Sequence, residues 1–223
     1  MKSMDQVYLM TSLMIGGLSI LIGLIFWIFL PKGEFKRLWA KSKDSGFAPY
    51  ALGFSALSLN IGITSVISHF FPETNSSQSQ DLLNLMNDTV GKVLVFVLVV
   101  LLTPVFEEIL FRGFLIDGFR KFLKRKPPFD VVLSAIFFGL SHGVNHFPGG
   151  FLFAFCLGMM RVRSGSLRRN FKVHALNNAF GLTMLYFNAP TLNLTLSIIL
   201  SVLGLFALAR TLSSCSALSD LQK

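Results

Sequence analysis

Runs of about twenty apolar residues, broken by short polar segments, repeat along most of this chain. Runs of that length read as transmembrane helices. The pattern places spans at Tyr8–Leu30, Tyr50–Phe71, Val90–Val105 with the FEEILFRGF stretch continuing it as helix, Val131–Phe147, Gly150–Val162, Val173–Phe187 and Leu192–Ala209. The expected fold is therefore all-α, a polytopic transmembrane helix bundle of about seven spans. The fourth to sixth runs are short or carry polar residues, so they are expected to line the interior rather than face lipid. Small residues four apart, Gly139 and Gly143, then Gly150, Ala154 and Gly158, fit close packing of the fourth and fifth helices.

The segments between the runs set an orientation. Lys32–Gly46, Arg120–Pro128 and Arg161–Lys172 are basic, whereas Pro72–Thr89 has no Lys or Arg and Phe187–Pro190 is uncharged. The positive-inside rule puts the three basic segments in the cytoplasm, the N-terminus outside and the C-terminus inside. The expected setting is an integral, multi-pass protein of a bacterial inner (plasma) membrane. The first run is too long for a signal-peptide core and lacks a small-x-small cleavage site, so it is read as a retained helix.

Composition agrees. Of 223 residues, 52% are hydrophobic and only 14% charged, and Phe occurs 24 times, against about 25% charged in a soluble domain. The net charge of +9 resides in the short loops, so it marks topology and no nucleic-acid partner is expected. Cys156 and Cys215 have no metal or redox spacing. The sequons at Asn75 and Asn87 matter only in a eukaryotic secretory pathway.

Ionisable residues inside such spans cost roughly 2.5–3.5 kcal/mol each and mark function by default. They are His69, Glu107, Glu108, Arg112, His142, His146 and His174, with Asn145, Asn177 and Asn178 beside them. In FEEILFRGF, Glu108 and Arg112 stand i, i+4, acid first, which favours an ion pair. Glu107 points about 100° away with no partner on its own helix. It is a candidate general base, and on this motif alone a structural salt-bridge knot explains the charges equally well. His142 and His146 have the i, i+4 spacing of a zinc pair, but HGVNH lacks the Glu of HExxH. His174 and Asn178 share a helix face while Asn177 points away, and both can donate to a developing oxyanion.

Taken together, EEILFR, FGLSH and HALNN, in this order on successive apolar helices, resemble the CPBP family: type II CAAX prenyl proteases and bacteriocin-processing (Abi) intramembrane proteases. The resemblance covers about 90–185 and divides the chain into N-terminal helices without a motif (1–89), a catalytic core (90–190) and a last span with its tail (191–223). It implies an intramembrane endopeptidase acting on membrane-associated, prenylated or leader-type substrates. Glu107 would be the catalytic Glu, His142 its partner on water, and His174 with Asn178 the oxyanion pair. Glu108 and Arg112 would be accessory. Peptide or protein substrates and the lipid bilayer are the implied partners.

The same resemblance leaves a metal open. Glu107, His142 and His174 would make a Glu-His-His zinc (Zn2+) site with an open position. Asn178 is a poor zinc ligand, which favours no obligatory metal. Two other readings stand beside the protease: a catalytically silent scaffold or bacteriocin-immunity factor of the same fold, and a small transporter using Glu107, Glu108 and Arg112 as a relay. The lack of paired broken helices argues against the last. Residue counting sets Glu107 and His174 near the cytoplasmic side and His142 in the outer half. A water-filled cavity open to the cytoplasm is expected to join them, with Glu107 and His142 within about 8 Å.

Overall fold

The computed structural model describes residues 32–40, 46–71, 82–124, 128–143, 146–187 and 192–220. Among these the regular structure is helical throughout, with no strand. The helices are α1 (Lys32–Leu38), α2 (Ala48–Phe70), α3 (Thr89–Leu123), α4 (Phe129–Ser141), α5 (Phe147–Ser164), α6 (Arg168–Tyr186) and α7 (Leu194–Asp220). Three segments are long and apolar enough to cross a membrane: Ala48–Phe70, Thr89–Leu123 and Leu194–Ser213. The expected fourth span is an apolar helix of 13 residues, too short to cross, and the expected fifth and sixth are helices of 18 and 19 residues that are not apolar enough. The expected first span, Tyr8–Leu30, lies outside the described residues.

Close backbone approach, made possible by missing side chains, holds the bundle together. A Cβ on Gly62 would strike Ser201 and the Ser197 carbonyl of α7, and one on Gly149 would strike Thr64 and Asn60 of α2. Gly158 faces Val131, and Gly150 faces Gly139 at van der Waals distance. These contacts lay α7 along α2, α2 along α5, and α5 along α4, the small-residue packing that apolar helices use in lipid. The core between them is Leu52, Ala56, Leu59, Phe138, Phe153, Leu157 and Met160, all nearly inaccessible. By contrast, Val90, Val93, Leu94, Leu98 and Leu101 on α3 and Ile198, Val202, Leu205 and Phe206 on α7 are exposed, forming surfaces suited to lipid.

Gly143 is an exception to the expected small-residue packing. Among the described residues nothing lies within 4 Å of where its Cβ would stand, and its φ is +87°. It stops α4 in the left-handed conformation that glycine adopts without a Cβ clash. The helix therefore ends at Ser141 rather than running to Phe147 as the apolar pattern predicts, and α5 starts afresh at Phe147, with Pro148 in its first turn. His142 and His146 thus stand on either side of a helix break instead of one turn apart on a single helix.

α3 is one continuous helix of 35 residues, capped by Asp88, whose side chain accepts a hydrogen bond from the Gly91 N–H at 2.6 Å. It contains two π-helical stretches, Val97–Leu102 and Glu108–Leu115. The first directly precedes Pro104, which lacks an N–H and crowds the carbonyl four residues back. A widened turn relieves that conflict. Each stretch offers a carbonyl across the bundle: Val99 O accepts from Asn178 Nδ2 at 3.0 Å, and Phe111 O accepts from Ser134 Oγ at 2.7 Å.

The basic segments gather at one end. Arg37 pairs with Asp117 at 2.9 Å, and Arg120 Nε donates to the buried Asp130 at 2.8 Å. The Leu167 N–H donates to Leu38 O at 2.8 Å, Ser166 Oγ to Ala40 O at 2.5 Å, and Arg168 to Trp39 O. Leu38, Ile109 and Leu167, with Trp39 and Val105 against them, make a second small core there.

Candidate active site

Glu107 lies midway along α3, eighteen residues after Thr89 and sixteen before Leu123. α4 enters beside α3 and ends at His142 after 13 residues. That shorter path brings the imidazole to the carboxylate: His142 Nε2 is 4.0 Å from Glu107 Oε1. From α6, His174 Nε2 is 3.2 Å from Glu107 Oε2. Three elements thus place one carboxylate between two imidazoles.

The neighbouring carboxylate is wholly buried. Glu108 Oε1 lies 3.0 Å from Arg112 Nη1, with both side chains at most 1% exposed. The same oxygen is 2.8 Å from His174 Nδ1, and Asn170 Nδ2 donates to Oε2 at 3.2 Å. Asn170 Nδ2 also donates to Leu157 O at 2.7 Å. A charge removed from water is tolerable only when paired and hydrogen-bonded. Here an arginine, a histidine and an asparagine satisfy one carboxylate. The Arg112 guanidinium also lies over the Phe138 ring, 4.4 Å from its centroid, a favourable cation–π geometry.

Phe138 organises three of these groups. Besides carrying Arg112, its ring stacks on His142 at 4.4 Å and meets His174 edge-on at 5.8 Å. The spacing F-x-x-x-H supplies this, since residues four apart share a helix face. The His142 tautomer follows from its other nitrogen. Nδ1 is 2.8 Å from Phe138 O, and a carbonyl can only accept, so Nδ1 carries the hydrogen. In the neutral ring Nε2 then presents a lone pair towards Glu107. His142 is 38% exposed against 2% for His174, so of the two imidazoles it is the accessible one.

These groups border a cavity of about 300 Å³ whose lining includes Asn60, His142, His174, Asn177, Asn178 and Phe180. Glu107 is not in that lining; it sits directly behind His142 and His174. Asn178 is half-buried and tied to Val99 O. Asn177 does not point away as its helical position predicts: its Oδ1 accepts from Asn60 Nδ2 at 3.0 Å, and it shares the cavity wall. His69 stands in the last turn of α2, against Phe70, apart from this cluster, and Asn145 lies outside the described residues.

Asn170 and Asn60 were not singled out by the motif reading, whereas Phe138 is the first residue of FGLSH. Asn170 was legible as the next position in an i, i+4 series with His174 and Asn178. Asn60 was legible as a carboxamide in the middle of an apolar helix.

The donor set does not fit the zinc alternative. His174 has a carboxylate against each ring nitrogen, and among the described residues no three His, Cys, Asp or Glu side chains are arranged to hold a metal ion.

The chain was compared with known families, curated proteins and solved structures. No curated protein and no solved structure matches it. Residues 89–180 match a family model described as Type II CAAX prenyl endopeptidase Rce1-like. That segment runs from the first residue of α3 to Phe180 of α6 and contains Glu107, Glu108, Arg112, His142, His174 and Asn178. Over residues 89–180 the chain is therefore similar to the Rce1-like type II CAAX prenyl endopeptidase family, and it also carries three membrane-length apolar helices.

Proposed function

We propose that this protein is an intramembrane endopeptidase in which Glu107 and His142 activate water. The observation that carries the reading is the 4.0 Å gap between Glu107 Oε1 and His142 Nε2 beside a cavity. The gap is too long for a direct hydrogen bond and suits one bridging water. A carboxylate oxygen and an imidazole lone pair are both acceptors. Water between them gives a hydrogen to each and keeps a lone pair for a scissile carbonyl carbon. Glu107 takes the proton as the C–O bond forms and returns that proton to the leaving amine as the C–N bond breaks, which leaves a carboxylic acid and an amine as products.

The arrangement supports a division of labour different from the one the motifs imply. His174 is held between Glu107 and Glu108, so it acts as the residue that orients the Glu107 carboxylate. Asn178 spends one amide hydrogen on Val99 O and keeps a second for the oxyanion. Glu108, Arg112 and Asn170 hold His174 and the π-helical turn in place. No step is routed through a metal.

The test compares peptide termini across the membrane and exported proteome of cells carrying the wild type or Glu107→Ala. Termini that disappear in the variant, at equal protein level, support the reading. An unchanged set with a preserved phenotype supports the silent-scaffold alternative.

A further inference from the structure

We infer that Asn60, on a helix that carries none of the three motifs, is a positioning residue for the oxyanion donor Asn178 and acts on it through Asn177. The inference rests on the endopeptidase reading for the role of Asn178. The series of hydrogen-bonded amides behind it stands on geometry alone.

The series begins at a carbonyl that its own helix serves poorly. In the first π-helical stretch of α3 the Thr103 N–H bonds Leu98 O. A regular α-helix would give that hydrogen to Val99 O. The residue after Thr103 is Pro104, which has no N–H to give. Asn178 takes that place from across the bundle, Nδ2 donating to Val99 O at 3.0 Å. A carbonyl can only accept, so this contact fixes which end of the Asn178 carboxamide is nitrogen.

The orientation then passes outward. With its nitrogen on Val99, Asn178 turns Oδ1 towards Asn177, whose Nδ2 donates to it at 3.4 Å. Asn177 in turn presents Oδ1 to Asn60, which donates from Nδ2 at 3.0 Å. Three amides on two helices thus point one way, from α2 to a backbone carbonyl of α3. The outer end is seated by a missing side chain: a Cβ on Gly149 of α5 would stand 3.0 Å from Asn60 Oδ1. All three carboxamides border the cavity together with His142 and His174.

Hydrogen bonds between carboxamides commonly join apolar helices, and the Asn60–Asn177 contact does this for α2 and α6. Helix joining alone does not require the series to continue in one direction to Asn178. That continuation has a chemical consequence. Of the two Nδ2 hydrogens of Asn178, Val99 O takes one, and the other is the donor offered to the oxyanion. Accepting at Oδ1 holds the amide plane and polarises the group, which strengthens its own N–H donors. Asn60 secures that arrangement, because a donor facing Asn177 Oδ1 keeps Asn177 from turning its oxygen towards the oxygen of Asn178.

Two measurements on the full chain in detergent micelles test this. The first is the side-chain amide spectrum of protein labelled with ¹⁵N-asparagine, in which the Asn178 signals are identified by their loss in Asn178→Ala. Asn60→Leu is expected to shift the Asn178 signals although the two residues share no hydrogen bond, and Ile61→Val, the next residue in the cavity wall, to leave them in place. Signals unmoved by Asn60→Leu, or moved as far by Ile61→Val, would overturn the inference. The second is cleavage of a synthetic peptide spanning a junction that depends on Glu107. Asn60→Leu should lower kcat by about 10–10²-fold, the scale of a misplaced catalytic group, with KM and unfolding temperature little changed. In an Asn178→Ala background the same change should cost almost nothing, because its target is gone. Losses that multiply, or a loss confined to KM, would make Asn60 a packing or substrate-contacting residue and overturn the positioning role. The spectra need no substrate. If no junction depends on Glu107, the endopeptidase reading and the positioning role fall together, while the amide series is still decided by the spectra.

Discussion

Glu107 and His142 are separated by the rest of α3, a connecting segment and the whole of α4, yet their side chains approach to 4.0 Å. Two features of the sequence produce that approach. Glu107 sits at the centre of an uninterrupted 35-residue helix, and Gly143 stops α4 at the same depth. The adjacent Glu108 lies on a different face, fully enclosed by Arg112, His174 and Asn170. Adjacent carboxylates thus have separate environments, one beside a cavity and one locked in the core, and their substitutions should behave differently.

Glu107→Gln keeps the side-chain volume and removes the base. Proteolysis should fall by about 10²–10⁴-fold, the range for loss of a positioned general base, with unchanged membrane insertion and thermal stability. His142→Ala should lose activity to a similar degree, and the double variant should be little worse than either single one, since the two act on one water. Single-turnover cleavage of a substrate found by terminus profiling measures this. Additive losses would argue against a shared water.

Glu108→Ala should act on stability first. Removing one partner of a buried, hydrogen-bonded pair costs about 3–5 kcal/mol because the remaining charge is stranded. Arg112 would be left enclosed without its carboxylate. The paired change Glu108→Gln with Arg112→Met should recover much of that loss, as replacement of both partners often does. Unfolding in detergent, followed by helical circular dichroism, distinguishes the cases. A Glu108→Ala protein as stable as the wild type would show that the pair does not hold the fold.

Asn170→Leu should reduce activity without abolishing it. It removes donors to Glu108 and to the Leu157 carbonyl, a loss of about 1–3 kcal/mol for buried groups left unsatisfied. Through His174 it should loosen Glu107, lowering kcat with little change in KM. A change confined to KM would place Asn170 at the substrate instead.

The sequence made the helices legible wherever apolarity and length agreed: α2, α3 and α7 lie close to the expected second, third and seventh runs. It misplaced the α4–α5 boundary because FFGLSHGVNHF is apolar enough to read as one span, and apolarity does not register a stop written by Gly143. The site was legible from three short motifs because i, i+4 spacing fixes which side chains share a face. The Glu108–Arg112 pair could be read from spacing alone. What spacing could not give was the partner across the bundle. Nothing in HALNN says that His174 faces two carboxylates, and nothing in LSLNIGITS says that Asn60 meets Asn177. Those contacts depend on helix rotation, which the two π-helical turns of α3 shift away from regular α periodicity. The FEEILFRGF stretch continues the third run as helix, as its apolar pattern leads one to expect, and pairing of the buried Glu108 with Arg112 accommodates its charges.

Chelation should leave activity intact. His174 directs both ring nitrogens at carboxylates, and the described residues offer no triad of metal ligands. Purified protein treated exhaustively with EDTA or 1,10-phenanthroline is expected to cleave substrate at an undiminished rate, with no stoichiometric metal by elemental analysis. Activity lost on chelation and restored by zinc would require His174 to turn away from Glu108, and would overturn this assignment.

Gly143→Ala tests whether the helix stop sets the site. The residue has φ +87° and no described atom within 4 Å of the Cβ position, so the added methyl meets backbone strain. The strain is about 1–2 kcal/mol for a left-handed alanine. One route to relief extends α4 by another turn, rotating His142 away from Glu107 and out of its stack on Phe138. A shift of about 1 Å at a catalytic group can cost as much as 10²-fold in rate. Gly143→Ala should therefore lose far more activity than stability, whereas Gly143→Asn, which tolerates the left-handed conformation better, should retain more of both. Measuring cleavage rate and unfolding temperature for the two variants together separates this from general destabilisation. Equal activity in both variants and the wild type would show that the end of α4 does not position His142.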